Sequence, residues 1–189
     1  DPVIEDLEVS LAALREELHV RAENSGSIVG PVVFGDDGDR VDCSKLGKGG
    51  YSVPSIVEPE YLEIRRCTAD FVLLVEKGTQ WNRLSEDKFW RRYNCVLLTG
   101  NGQPPRGVRR LARRIHEEYK LPVYVLVDND PWGYYIYSVI KQGSINLAFE
   151  SQRMAIPKAK FMGLSSADPE RYELPRNVGI KLNDKDIAR

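Results

Sequence analysis

At 189 residues with 42% apolar side chains, the chain can bury a sizeable core and has the length of a single globular domain. A formal net charge of −1 excludes a polycation, so any nucleic-acid surface has to be a local patch. Three scattered cysteines (Cys43, Cys67, Cys95) fit neither a disulfide framework nor a zinc site, which favours a reducing, cytoplasmic setting; no signal-peptide pattern or membrane-length apolar segment appears.

In chain order, residues 3–23 predict an amphipathic helix. Ile4, Leu7, Leu11, Leu14 and Leu18 recur at three- and four-residue steps, with Glu5, Glu8, Arg15 and Glu16 opposite. Its apolar side is expected to pack on the chain's own core, with an intersubunit seam as the alternative. Residues 24–60 are rich in Gly, Ser, Asp and Pro, with strand-like pieces at Ile28–Phe34 and Tyr51–Val57. Gly47-Lys48-Gly49-Gly50 lacks the spacing of a phosphate-binding loop and reads as a turn. From Phe71 the pattern alternates: strand 71–75, helix 79–93, strand 95–99, helix 105–119, strand 123–127, helix 132–142. After a mixed stretch from Ser144 comes a strand near 159–163. Such alternation predicts an α/β fold, a parallel Rossmann-like sheet with helices on both faces, plus an N-terminal helix and a small β-rich embellishment. The expected divisions are 1–60, a core at 61–165, and a 166–189 extension packed on that core.

Chemistry concentrates at two strand ends. Val123-Tyr-Val-Leu-Val127 is an apolar run that ends in Asp128-Asn-Asp130-Pro131-Trp-Gly133. A buried parallel strand ending in two acids places them where open α/β sheets bind ligands. Acids so close repel unless a cation lies between them, and their hard oxygens suit Mg²⁺, with Mn²⁺ as a substitute. Phe71-Val-Leu-Leu-Val75 is a second such run, followed by Glu76, Lys77 and Gly78. If the two strands are neighbours, Glu76, Asp128 and Asp130 open onto one cleft. Helix capping or plain solvation is the alternative for each acid. His19 and His116 stand alone on predicted helices, and nothing supports a Ser/His/Asp or Cys/His site. Trp81, Phe89 and Trp90 are expected in the core or an interface.

A strand-end Glu, a Gly, then Asp-x-Asp on a later strand resembles the Toprim domain. Gly100-Asn-Gly102-Gln-Pro104-Pro105-Arg106 through Arg109 lies between the acidic strands. Lys141-Gln-Gly143-Ser144, Phe161-Met-Gly163-Leu164 and a run through Leu182, Asp184 and Asp186 follow. This order resembles the A subunit of DNA topoisomerase VI, the archaeal type IIB enzyme related to the meiotic double-strand-break protein. One departure is Pro105, where that family usually has an acid.

The resemblance implies Mg²⁺-dependent cleavage and religation of double-stranded DNA through a 5′-phosphotyrosyl link, with metal on Glu76, Asp128 and Asp130. Glu76 would also serve as general acid and base. The family's nucleophile is a tyrosine in a preceding winged-helix domain, and no such domain fits before Phe71. Tyr134-Tyr135 mimics the family's tyrosine pair but opens the helix after Asp-x-Asp. The chain is therefore expected to be the C-terminal part of a longer subunit, without a nucleophile and inactive alone. No nucleotide motif is present, so ATP use is assigned to a B subunit. An A-subunit homodimer and a cytoplasmic, nucleoid-associated setting are also implied.

Arg106, Arg109, Arg110, Arg113 and Arg114 share one face of the 105–119 helix, opposite Val108, Leu111, Ala112 and Ile115. Such a stripe suits phosphate contacts; Arg106, Arg109, Arg110 and Arg113 are the DNA-binding candidates, Arg109 first because it matches the family Arg. A solvated face is the alternative. Three further readings stay open: another Toprim nuclease, a haloacid-dehalogenase-like phosphatase with Asp128 as nucleophile and Asp130 as acid, and a non-catalytic assembly module.

Overall fold

A computed structural model describes residues 2–143, 148–175, 177 and 179–187. Ser144, with the stretch to 147, lies outside the described residues. The elements are α1 (Pro2–Leu11), β1 (Ser27–Val29), β2 (Val32–Asp36), β3 (Asp39–Asp42), β4 (Tyr51–Ser52), β5 (Leu62–Cys67), β6 (Phe71–Val75), α2 (Gly78–Glu86), α3 (Phe89–Arg92), β7 (Cys95–Thr99), α4 (Arg106–Tyr119), β8 (Val123–Leu126), α5 (Pro131–Gln142), α6 (Ala148–Met154), β9 (Lys160–Gly163), α7 (Asp168–Arg171) and α8 (Asp184–Ile187). No helix among the described residues is long and apolar enough to cross a membrane.

The main sheet runs β4-β1-β7-β6-β8-β9. β7, β6, β8 and β9 are parallel, while β1 and β4 add antiparallel pairs at one edge. β6 is apolar throughout because both of its faces are covered. Val72 and Leu74 join the core beneath α4 and α5, with Leu111, Ile115, Ile136 and Ile140. Leu73 and Val75 join a second core with Trp81 and Trp90 of α2 and α3. The parallel α/β sheet expected from the alternation is what forms.

Several elements differ from their sequence reading. The helix expected over 3–23 ends at Leu11. The Arg15 backbone N–H donates to the Glu8 carboxylate at 2.8 Å instead of continuing the helical ladder, and Ala12 adopts a left-handed φ of 50°. Glu8 is buried while Val3, Leu7, Val9 and Leu11 are exposed, so the apolar side does not pack on the core as expected. The helix expected over 79–93 breaks at Lys88, φ 51°. Nine residues at about 100° each would put Trp81 and Trp90 on opposite sides of one straight helix. The break turns both indoles into the same core.

The strand-like piece 28–34 divides at Gly30-Pro31, β1 going to the main sheet and β2 to a separate one of order β3-β2-β5. Gly30, at φ 139°, lies where an added Cβ would meet the Cys95 carbonyl oxygen at 2.6 Å, so a side chain there would push β1 off β7. Of the piece expected over 51–57, only Tyr51–Ser52 is strand. Asp37-Gly38 closes the β2–β3 hairpin with both φ positive, the two-residue turn that matches strand twist. Strand pairing does not follow a cut at 60/61: β1 and β4 belong to the main sheet and β5 to the small one. Beyond 166 the described residues are largely exposed, Tyr172, Ile180, Leu182 and Ile187 among them, rather than packed on the core.

Candidate metal centre

β6 leads through α2 to β7 on one side of it, while β7 leads through α4 back across β6 to β8 on the other. The connections leaving β6 and β8 therefore cover opposite faces of the sheet. A crevice opens at such a switch point, beyond the carboxyl ends of the two strands. Val75 lies beside Leu126, so Glu76 and Asp128 emerge at the same rim one residue apart, with Lys77 level with Asp128. A cavity of about 110 Å³ lies there, lined by Glu76, Lys77, Gln80, Asp128 and Leu164 over a floor of β6 and β8 residues.

Glu76 is 8% exposed, and its Oε2 accepts the Asp128 backbone N–H at 3.1 Å. Asp128 itself forms an ion pair with the Lys77 ammonium. Asp130 faces elsewhere: its Oδ1 accepts the Gly133 N–H at 2.6 Å and caps α5, with Pro131 in the first turn. That pattern explains the spacing of Asp130-Pro131-Trp-Gly133, because a side-chain cap and a proline both suit a helix start. Gly133 is required, since a Cβ there would sit 2.2 Å from the Asp128 carbonyl oxygen.

The three acids expected to converge do not form a ready cage: among the described residues, no group of three His, Cys, Asp or Glu side chains is placed to hold a metal. Asp130 is the one turned away, because α5 needs its cap. Glu76 and Asp128 nonetheless fit a hard divalent cation by donor type and by charge. Burial pushes the Glu76 carboxyl above the ordinary glutamate range; the N–H from Asp128 opposes this, and the charges of Asp128 and Asp130 add to the rise.

Residues 71–189 match the family model for the Toprim domain shared by the topoisomerase 6 A subunit and Spo11. Residues 22–68 match the all-beta domain in DNA topoisomerase VI alpha subunit. The chain belongs to the topoisomerase VI A-subunit family. It is 47% identical over 96% of its length to the A subunit of type 2 DNA topoisomerase 6 from Pyrococcus horikoshii, covering 47% of that protein. It is 44% identical over its whole length to the corresponding protein from Aeropyrum pernix, covering 50% of it. To the A subunit of DNA topoisomerase 6 from Arabidopsis thaliana it is 36% identical over 99% of its length, covering 43%. The chain thus spans about half the length of the curated relatives it matches. Membership sets aside the haloacid-dehalogenase reading of Asp128 and Asp130. The all-beta unit holds the β3-β2-β5 sheet, together with β1 and β4 on the edge of the Toprim sheet.

The basic face of α4 in this family member is not the open stripe expected from periodicity. Arg106 pairs with Glu8 and Glu16, and Arg110 makes two 2.9 Å bonds to Glu58. Arg113 pairs with Glu117 and donates to the Ala155 carbonyl. Arg114, 3% exposed, donates to the Val57 and Leu62 carbonyls and to Glu118. Arg109 is 5% exposed, and its Nε has no hydrogen-bond partner among the described residues. α4 is covered by the sheet on one side, and α1, the Glu58 segment and α6 meet the other. Pro105, the family departure, is the N-cap of α4 and offers no side-chain cap.

Sequence reading missed Lys77, whose signal was its place directly after Glu76. It also missed Glu8 and Glu58, whose partners lie far along the chain and carry no local signal. Tyr134 stacks on Phe161 at 5.3 Å and Tyr135 on Trp132 at 5.1 Å, both about two-fifths exposed.

Proposed function

We propose that this chain carries the acidic metal site of a DNA breakage-and-rejoining reaction, in which a tyrosine outside it attacks the phosphodiester. The observation that carries this reading is the pairing of Glu76 and Asp128 across the β6/β8 switch point, in a chain whose relatives are named as A subunits of DNA topoisomerase 6. Asp128 would be the ionised oxygen donor and Glu76 the second. Asp130 would join through water, or directly after leaving its cap. A bound Mg²⁺ or Mn²⁺ would offset charge on the phosphate and orient the leaving oxygen.

We assign proton transfer to Glu76, the strand-end carboxyl that accepts the Asp128 N–H. It would give a proton to the departing 3′-oxygen and take it back on rejoining. Tyr134 and Tyr135 are stacked on aromatic neighbours, and we assign neither as nucleophile. Positioning a nucleophile in line with the phosphate is what such a site needs most, and in this reading the tyrosine outside the chain supplies it. This reading requires three partners: a DNA duplex, a second copy of the A subunit, and a B subunit that hydrolyses ATP.

Mn²⁺ titration followed by electron paramagnetic resonance tests the site. Wild-type chain should bind, and Asp128→Ala should lose more affinity than the roughly ten- to hundredfold that removing an outer-shell partner costs. Equal affinity in the two would overturn the assignment. In the assembled enzyme Glu76→Ala should abolish supercoil relaxation, while residues 1–189 alone should relax nothing.

A further inference from the structure

We infer that Lys77 is the resident counter-ion of the acidic site: its ammonium holds Asp128 until a divalent cation arrives and must leave that carboxylate for the cation to bind. The inference rests on the metal-site reading above and adds to it a competitor supplied by the chain itself.

Three observations carry it. First, the Lys77 ammonium pairs with the Asp128 carboxylate, the acid best placed to ligate, and so occupies an oxygen that a metal would use. Among the described residues lining the cavity, Lys77 is the only basic one, facing Glu76 and Asp128. Second, the pair is accessible: the two side chains are 55% and 33% exposed. Contacts of that kind are weak and readily exchanged, unlike a buried pair. Third, the Lys77 backbone is fixed while its stem is not. It is the N-cap of α2 directly after β6, and its carbonyl accepts the Trp81 N–H at 3.0 Å. The four-carbon stem carries a compact charge that can swing without moving either element.

Electrostatics explains why a lysine belongs here. Without a cation, the neighbouring Glu76 and Asp128 carboxyls would carry like charges, and Asp128 would have no compensation. A tethered ammonium supplies one positive charge. A divalent ion supplies two and takes several oxygens at once, so it wins when present and yields when scarce. Lys77 thereby sets a threshold for metal loading.

The test measures Mn²⁺ affinity in the wild-type chain and in Lys77→Met, Lys77→Arg and Asp128→Ala, with folding checked by circular dichroism. A unit charge against a unit charge in water-like surroundings changes an equilibrium constant on the order of fivefold. A doubly charged ion squares that factor, and an ammonium able to swing away relaxes it to about five- to tenfold. Lys77→Met should therefore bind Mn²⁺ about five- to tenfold more tightly, and Lys77→Arg should stay near wild type. Without metal, Lys77→Met should melt below wild type, and saturating Mn²⁺ should close the gap. Equal or weaker Mn²⁺ binding by Lys77→Met, with wild type still binding, would overturn the exchange and leave the metal site standing. Absence of Mn²⁺ binding by both folded proteins would remove the metal site and the exchange with it.

Discussion

Two charged regions lie on the two sides of this sheet's rim, and they are built on opposite rules. On the outer face of α4, Arg110 and Arg153 meet Glu58, Arg106 meets Glu8 and Glu16, and Arg114 fills a buried site between two carbonyls and Glu118. These charges are matched within the chain and largely withdrawn from solvent; Arg109 is buried as well, with no partner on its Nε among the described residues. At the β6/β8 strand ends, Glu76 and Asp128 meet with Lys77 as the basic side chain of the cavity, while Asp130 caps α5 beside them. The first region is finished by folding. The second pairs two strand-end carboxylates, Glu76 and Asp128, with one solvent-accessible ammonium.

Glu58 and Glu76 show the difference in one functional group. Burial raises Glu58, but the hydrogen bond and charge of Arg110, with Arg153 and Arg114, outweigh it and hold the carboxyl below its ordinary range. Burial raises Glu76 as well, and there the neighbouring acids push the same way.

The largest expected effect is in the arginine region. Arg114→Ala leaves two buried carbonyls without a donor and should cost about 3 kcal/mol in urea unfolding. Lys77→Met, without metal, should cost under about 1 kcal/mol, as exposed pairs do. Comparable losses from the two changes would erase the contrast between a structural and an exchangeable cation.

The pH dependence sharpens it further. Glu58 has a depressed folded pKa, so its stabilisation is present above the unfolded value and is lost as pH falls through the folded one. Glu58→Gln should therefore lose about 2 kcal/mol at pH 7, with the deficit shrinking below about pH 4. Glu76 has a raised folded pKa, so the native state holds its proton more tightly. Wild-type stability should then fall as pH rises from about 4.3 through the raised value. Without metal, Glu76→Gln should be more stable than wild type at pH 7, by under about 1 kcal/mol, and equal to it in acid. Parallel pH profiles for the two variants would contradict the assignment of opposite environments.

The smallest expected effect concerns DNA. Each phosphate contact adds about 0.9 to the slope of log affinity against log salt. Arg113 is engaged inside the chain and Arg109 is buried, so replacing both with Ala should leave that slope unchanged. A loss of about one unit per arginine would show that the face opens to meet phosphates.

Much of the fold was legible locally. The runs 71–75, 95–99 and 123–127 lie within a residue of β6, β7 and β8, because strands buried on both faces are apolar without interruption. The acids were legible for the same reason, as the first polar residues after such runs. For Asp130 the sequence left ligation and capping both open, because its motif serves either need and the residues do not say which dominates; in the fold it caps α5. The arginine stripe was misplaced because periodicity reports which side chains share a face and carries no information about what covers it.

The sequence by itself determined the strands, the order of alternation and the presence of acids at two strand ends, since these depend on burial pattern along short segments. Tertiary structure alone decided that β6 and β8 are neighbours, that Lys77 rather than Asp130 faces Asp128, and that Glu8 and Glu58 close the arginine face. Those choices are contacts between residues far apart in the chain, such as Arg110 with Glu58 and Arg106 with Glu8, and they exist only once the sheet has brought their elements together.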